Sequence, residues 1–126
     1  MMRNTLTAAL LILSSPFALA SDGESIYKQI CSHCHVMQMG WEIKDKTTLK
    51  APPFPGVTKM VRRIYNNEQQ FVEFVSNYIK KPTRIRSRTK DAVIDRFGLM
   101  PNIGANISNE ERKTVAKWMF NNVGRN

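Results

Sequence analysis

Residues 31–35 read Cys31-Ser32-His33-Cys34-His35, and this short stretch decides the fold of the chain. It follows the pattern C-x-x-C-H, which is typical of the covalent attachment of a c-type haem. Cys31 and Cys34 lie three residues apart on one side of a helical turn, so both sulfurs can add to the two vinyl groups of one porphyrin edge. His35 follows directly and can bring an imidazole nitrogen to the iron. The motif predicts one haem c, bound covalently through Cys31 and Cys34, with His35 as an axial ligand.

Two cysteines and a histidine at this spacing also occur in three other kinds of site. A zinc site is disfavoured because the Cys and His residues all lie within five positions and cannot easily form a tetrahedron. Thioredoxin-like chemistry is disfavoured because the alternating strand and helix pattern around such motifs is absent. A Cys31–Cys34 disulfide in a cofactor-free exported domain, acting as a thiol oxidant or binding module, stays open as an alternative. His33 is expected to be an exposed residue and not a second ligand.

The N-terminus has the features of an export signal. Arg3 is followed by an apolar run, Leu6 to Leu13, and Ala18-Leu19-Ala20 has the small residues of a cleavage site. We therefore expect residues 1–20 to be a signal peptide and residues 21–126 a single domain in the periplasm or otherwise exported; an uncleaved anchor is the alternative. Removal of residues 1–20 leaves 106 residues with a formal charge of +8. Thiols in such an oxidising compartment are usually bridged, metal-bound or covalently used.

Composition and periodicity indicate an all-α domain. Hydrophobic residues make up 42% and charged residues 23% of the chain, which is ordinary for a globular protein. Apolar residues recur with helical spacing and nowhere with convincing strand alternation. Residues 36–56 contain the glycines and prolines of a loop. Five helices are predicted. The first begins at Ser21, the N-cap of a capping box with Glu24, and the second runs from Val57 to Tyr65. The third carries the apolar stripe Phe71, Phe74, Val75, Tyr78 and Ile79 and ends before Pro82, the fourth runs from Asp91 to Phe97 and is stopped by Gly98, and the fifth begins at Ser108.

Several of these helical residues have an expected role. Asn66 or Asn67 is expected to cap the third helix, whose aromatic stripe is interpreted as core. Ser108 forms a capping box with Glu111. The last helix is expected to bury Val115, Trp118, Met119 and Val123.

The second iron ligand is expected to be a methionine, because a thioether raises the potential and suits electron transfer. Met100 is favoured because Pro101 biases it towards an extended bend, 65 residues after His35. Met37 and Met39 follow His35 too closely to cross the porphyrin plane. The two other methionines of the mature chain, Met60 and Met119, are expected to pack in the core.

These residues together resemble those of class I c-type cytochromes. Gly23 and Tyr27 precede the haem motif at the spacing of that family, and Ala51-Pro52-Pro53 resembles its proline segment. The Leu99-Met100-Pro101 segment and the final amphipathic helix match the family's distal half. The match covers nearly all of residues 22–124, although its motifs are short.

The resemblance implies a fold and several contacts. Short helices would surround one haem, with the first and last helices crossing where Gly23 allows a close approach and Tyr27 and Trp118 pack. The carbonyl of Pro52 would accept a hydrogen bond from the His35 ring, which fixes the tautomer. Residues 36–50 form a longer stretch than in compact members, which leaves Pro53 as the alternative acceptor. This stretch could cover the haem or contact a partner.

Basic residues dominate one later segment. Residues 80–90 contain Lys80, Lys81, Arg84, Arg86, Arg88 and Lys90 and no acidic residue. The segment is interpreted first as a solvated loop. One or two of its cations could instead form ion pairs with haem propionates. Its functional interpretation is a docking surface for an acidic redox protein, and anionic lipid headgroups are an alternative ligand. Nucleic acid is not expected as a partner, and neither is a small-molecule substrate.

The leading hypothesis is an exported monohaem electron carrier, and not an enzyme. His35 and Met100 would hold the iron in both oxidation states. The alternatives are a haem enzyme or gas sensor with a labile sixth ligand, and a cytochrome subunit of a larger oxidoreductase.

Overall fold

The computed structural model describes residues 22–125, and this part of the chain is helical without any strand. The helices are α1 (Gly23–Ile26), α2 (Phe54–Ile64), α3 (Glu68–Lys80), α4 (Asp91–Phe97) and α5 (Asn109–Asn122). Three short 3₁₀ turns lie between them, at Gly40–Glu42, Lys46–Thr48 and Ile103–Asn106. The all-α prediction is therefore confirmed.

The first helix differs in detail from the expectation. Ser21 lies outside the described residues, and the N-cap of α1 is Asp22, whose Oδ1 accepts a hydrogen bond of 2.7 Å from the Ser25 amide. After Ile26 the helix continues as a π-helical turn, Tyr27–Cys31. Such wider turns are rare and often accompany functional sites. This turn leads directly into the haem motif.

Helix α2 begins three residues before its predicted start at Val57. Phe54 and Pro55 occupy its first two positions, where a missing amide hydrogen costs nothing because no carbonyl precedes it within the helix. The loop predicted over residues 36–56 therefore ends at Pro53. The prolines that argued for a loop also allow a helix start.

The other helices match their predicted signals. Asn67 caps α3 through a hydrogen bond to the Gln70 amide, and α4 ends at Gly98, which has a φ of 79°. Ser108 and Glu111 form the expected reciprocal capping box at the start of α5.

The first and last helices pack closely, as the resemblance implied. A Cβ atom on Gly23 would lie 2.1 Å from the Cβ of Trp118, which is far inside contact distance. The rings of Tyr27 and Trp118 have centroids 5.7 Å apart. Tyr27, Val115 and Met119 are buried in one continuous core, whereas Trp118 is only half-buried. Glycine at position 23 is thus required by the crossing of α1 and α5.

Arg62 holds the C-terminal end of α5 against α2. Its guanidinium donates to the carbonyls of Met119, Phe120, Val123 and Gly124. The last carbonyls of a helix have no partner within the helix, so a cation placed there satisfies them and offsets their partial negative charge. The expected outcome of Arg62→Met is a loss of about 2 kcal/mol in unfolding free energy, because hydrogen bonds to a charged group are lost.

Chemical denaturation of the purified protein measures this loss. Arg63→Met is the matched control, because Arg63 is the next residue of the same helix and is exposed. Equal effects of the two substitutions would contradict a capping role for Arg62.

No helix in the described residues is long and apolar enough to span a membrane. The predicted signal peptide, residues 1–20, lies outside them.

Candidate functional site

A slot lies between α2, α3, α5 and the segment after α4. It has two adjoining compartments, with about 940 and 740 Å³ of atom-free space when the part open to solvent is counted. Both compartments share Cys31, His35, Pro52, Ile79, Leu99 and Met100 among their lining residues. The remaining lining is mainly apolar. The slot is therefore lined by both predicted iron ligands, His35 and Met100.

His35 is held at two points. Its Nδ1 lies 2.7 Å from the carbonyl oxygen of Pro52, and the Tyr27 hydroxyl donates a 2.7 Å hydrogen bond to the His35 carbonyl. A carbonyl can only accept, so Nδ1 carries the hydrogen and Nε2 keeps its lone pair. Burial lowers the pKa of His35, which favours the neutral ring that metals bind. No other hydrogen bond is made by this ring within residues 22–125, so Nε2 is available to a metal.

The two cysteines are free thiols. Cys31 lines both compartments and Cys34 lines the second. Burial raises the pKa of the Cys31 thiol to about 11. Thiol oxidants instead rely on thiols whose pKa is lowered. This environment does not suit the thiol-oxidant alternative.

Met100 differs from the other methionines in its position relative to the slot. It lines both compartments, whereas Met60 and Met119 line only the first. Met119 is buried in the core and Met60 packs against it, as expected. Met37 is exposed, and neither it nor Met39 lines either compartment.

The stretch of residues 36–50 does not cover the slot. Of this stretch, only Lys50 contributes to the lining. Trp41 is 75% exposed, and Phe54 anchors the start of the stretch by donating its amide to the Val36 carbonyl. The structure thus disfavours the first of the two roles considered for this stretch. His33 is also exposed, with Nε2 3.0 Å from the Gln29 carbonyl.

These residues fit a haem c. An apolar slot suits the macrocycle, two free thiols lie at its wall, and an imidazole nitrogen without a hydrogen bond is available to the iron. No group of three or more His, Cys, Asp or Glu side chains in the described region could hold a bare metal ion.

Comparison with protein families agrees with this geometry. The family model described as cytochrome C oxidase, cbb3-type, subunit III, matches residues 18–119. The chain belongs to this family of c-type cytochrome domains. The cytochrome is accordingly a haem-binding electron-transfer protein with an all-α fold. Membership also makes haem c its cofactor.

One curated relative of the cytochrome is an uncharacterized protein of Aquifex aeolicus (strain VF5). The two chains are 32% identical over 128 residues, which cover 94% of this chain and 84% of the relative. No solved structure matches the cytochrome.

The aromatic stripe on α3 has a second role beside the predicted core packing, because Phe74 and Ile79 pack against the core and also line the slot. Phe71 and Val75 are buried in the core as expected. Phe74, Tyr78 and Ile79 are half-buried and line the first compartment. Helical spacing alone cannot separate these two sets, because the core and the slot lie against the same face of the helix. Arg88 also lines this compartment, which its sequence context does not reveal.

Proposed function

We propose that this cytochrome is an exported electron carrier with a single haem, attached through Cys31 and Cys34 and ligated by His35 and Met100. The observation that carries the proposal is that His35 and Met100 line both compartments of the same slot. Together, His35 and Met100 would hold the iron without leaving a position for a substrate, which suits electron transfer rather than catalysis. No substrate bond is made or broken.

Bound haem supplies an iron that takes up or gives up one electron. The chain's own residues set the conditions for that exchange. The Pro52 carbonyl orients the His35 ring and keeps Nε2 as the lone-pair nitrogen. Tyr27 restrains the same residue from its backbone side. Apolar lining side chains such as Ile79 and Leu99 limit water, and low polarity around a haem is one determinant of its potential.

The proposed location is the periplasm or another exported compartment. The signal pattern of residues 1–20 supports it, and so does a motif that uses both cysteines of the chain.

The proposed partner is an acidic redox protein. The formal charge of +8 that residues 21–126 carry supports this, since a basic surface raises encounter rates with acidic proteins. Within the basic segment, Arg84 forms ion pairs of 2.9 Å with Asp91 and Asp95 and is already compensated. Membrane-surface contact through the same cations is the alternative.

A cytochrome subunit of a larger oxidoreductase is the second candidate. It is supported by the description of the matched family as an oxidase subunit. Purification from native cells under mild conditions separates the two candidates. A stable stoichiometric complex supports the subunit, and a free monomeric cytochrome supports the carrier.

Attachment of the haem is tested by Cys31→Ala and Cys34→Ala in cells that attach c-type haem. The expected result is that wild type keeps its haem on a denaturing gel and that the double variant loses it, because thioether bonds survive denaturation. His33→Ala, an exposed neighbour within the motif, is the control and should keep its haem. A wild-type protein with thiol–disulfide activity and no haem absorbance would instead support the disulfide alternative.

A further inference from the structure

A second concave surface lies on the outer side of α3, beside the slot. We call it the basic groove, and it is bounded by Tyr65, Phe74, Tyr78 and the cations Lys80, Lys81, Arg86 and Arg88. Glu73 is the single carboxylate of its lining. Four cations against one carboxylate make this groove strongly positive.

The wall of the groove is a stack of aromatic rings. The ring centroids of Tyr65 and Phe74 are 4.7 Å apart, and those of Phe74 and Tyr78 are 5.7 Å apart, both in stacked orientation. Arg88 lies across this stack, with its guanidinium carbon 5.4 Å from the Phe74 centroid and its Nε donating to the Tyr65 hydroxyl. Two aromatic contacts and a cation–π contact give the wall a defined shape before any ligand binds.

Apart from Lys90, which lies outside the groove lining, the cations of the basic segment fall into two groups. Arg84 is paired with two aspartates, and Arg88 is fixed against the aromatic stack. The exposed side chains of Lys80, Lys81 and Arg86 form no ion pair or side-chain hydrogen bond within the described residues. These three unpaired cations therefore supply the charge that a ligand would meet.

The groove shares a wall with the haem slot. Phe74, Tyr78 and Arg88 line both. A partner seated in the groove would be separated from the slot by single side chains, a short distance for an electron.

We propose that the basic groove is the docking site for a carboxylate-rich surface of a one-electron redox protein. The proposal deepens the electron-carrier function above and rests on it. The unpaired cations of the groove favour a partner with many carboxylates. The wall that the groove shares with the haem slot would bring such a partner close enough for electron transfer. One electron passes between the docked protein and the cytochrome, so one is oxidised as the other is reduced, and no bond or proton is exchanged.

The test uses the holo protein and a fluorescent decaglutamate peptide as a probe of the acidic surface. The groove variant is Lys80→Gln, Lys81→Gln and Arg86→Gln together. Its control, Lys44→Gln, Lys46→Gln and Lys113→Gln, removes the same charge from exposed positions outside the groove lining. We expect the groove variant to lose about tenfold in peptide affinity and the control much less, with salt weakening binding to wild type. Amide shifts on peptide addition should map to the groove residues.

A redox probe connects binding to electron transfer. The reduced cytochrome gives one electron to hexacyanoferrate(III), which becomes hexacyanoferrate(II). Since this oxidant is an anion, the groove variant should react several-fold more slowly than the control. The cationic oxidant tris(phenanthroline)cobalt(III) should show no such loss.

Three results would overturn the docking site. Equal losses in the groove variant and the control would show an effect of net charge alone. Groove-dependent binding to vesicles containing phosphatidylglycerol, without binding to the peptide, would assign the surface to a membrane. A variant with an unchanged haem spectrum and no change in either probe defeats the docking site only, whereas a cytochrome without haem defeats the electron carrier itself.

Discussion

Met100→Ala is expected to remove the second axial ligand and leave the rest of the haem site in place. The weak far-red band of a ferric iron–thioether bond should vanish, and the midpoint potential should fall. Methionine ligation raises the potential of a haem, and axial ligands set it over a range of about 0.8 V, so a fall of about 100 mV or more is expected. Visible spectroscopy and a redox titration of the holo protein measure both effects.

Met60→Leu is the matched control for this experiment. Met60 lines the first compartment with Met100 but does not reach the second. Its variant should keep the far-red band. The reverse pattern, with the band lost in Met60→Leu and kept in Met100→Ala, would move the ligand to α2.

External ligands extend the same test to the haem-enzyme alternative. Carbon monoxide should bind Met100→Ala at low concentration and should not bind wild type. Ready binding to wild type would instead favour a haem enzyme or gas sensor, because it requires a vacant or labile position on the iron.

Gly104→Ala is expected to lower stability strongly at a position away from the haem ligands. A Cβ at this position would lie 2.5 Å from the carbonyl oxygen of Ile79 and 2.7 Å from its carbon. Both belong to the backbone of α3, which cannot move aside cheaply. Overpacking of this kind costs about 1–3 kcal/mol. For a domain of this size that corresponds to a fall of about 10 °C in Tm.

The same substitution should also disturb iron ligation by Met100, because it displaces the segment that follows α4. Arg112, which is buried, donates to the carbonyls of Gly104 and Ile107 and so ties the turn Ile103–Asn106 to α5. Met100 lies just before this turn. Displacement of Gly104 from Ile79 is therefore expected to weaken the far-red band while the haem stays attached.

Gly40→Ala is the control, since no atom lies within 4 Å of a Cβ built there. It should leave both Tm and the far-red band near the wild-type values. A Gly104→Ala protein as stable as Gly40→Ala would show that the close approach between the turn and α3 is not required.

Much of the fold and part of the site could be predicted from local signals. The caps at Asn67 and Ser108 and the helix stop at Gly98 each depend on residues within a few positions of one another. The C-x-x-C-H motif is local for the same reason, because both thioether bonds and the imidazole must meet one edge and one face of a single macrocycle. The start of α2 was missed because Phe54-Pro55 at a helix start and prolines in a loop look alike in sequence.

The roles of the arginines could not be predicted in this way. The local sequence does not distinguish the roles of four arginines that lie on helices or in the basic segment: Arg62, Arg84, Arg88 and Arg112. Their partners are carbonyls at the end of α5, two aspartates of α4, an aromatic stack and the turn before α5, respectively. The partners of Arg62 and Arg88 are far away in the sequence and are brought near only when the helices pack together.

The spacing of residues along the chain and the periodicity of the apolar ones were therefore enough to predict the helical class, the haem motif and the preference for Met100, because each depends on neighbours in the chain. Tertiary packing alone decided that His35 and Met100 line one slot, that Phe74 and Tyr78 also line it, and that three of the basic residues stay unpaired beside it. The physical reason is that cavities and surface charge are properties of several helices together, and a single helix carries no information about what will lie opposite it.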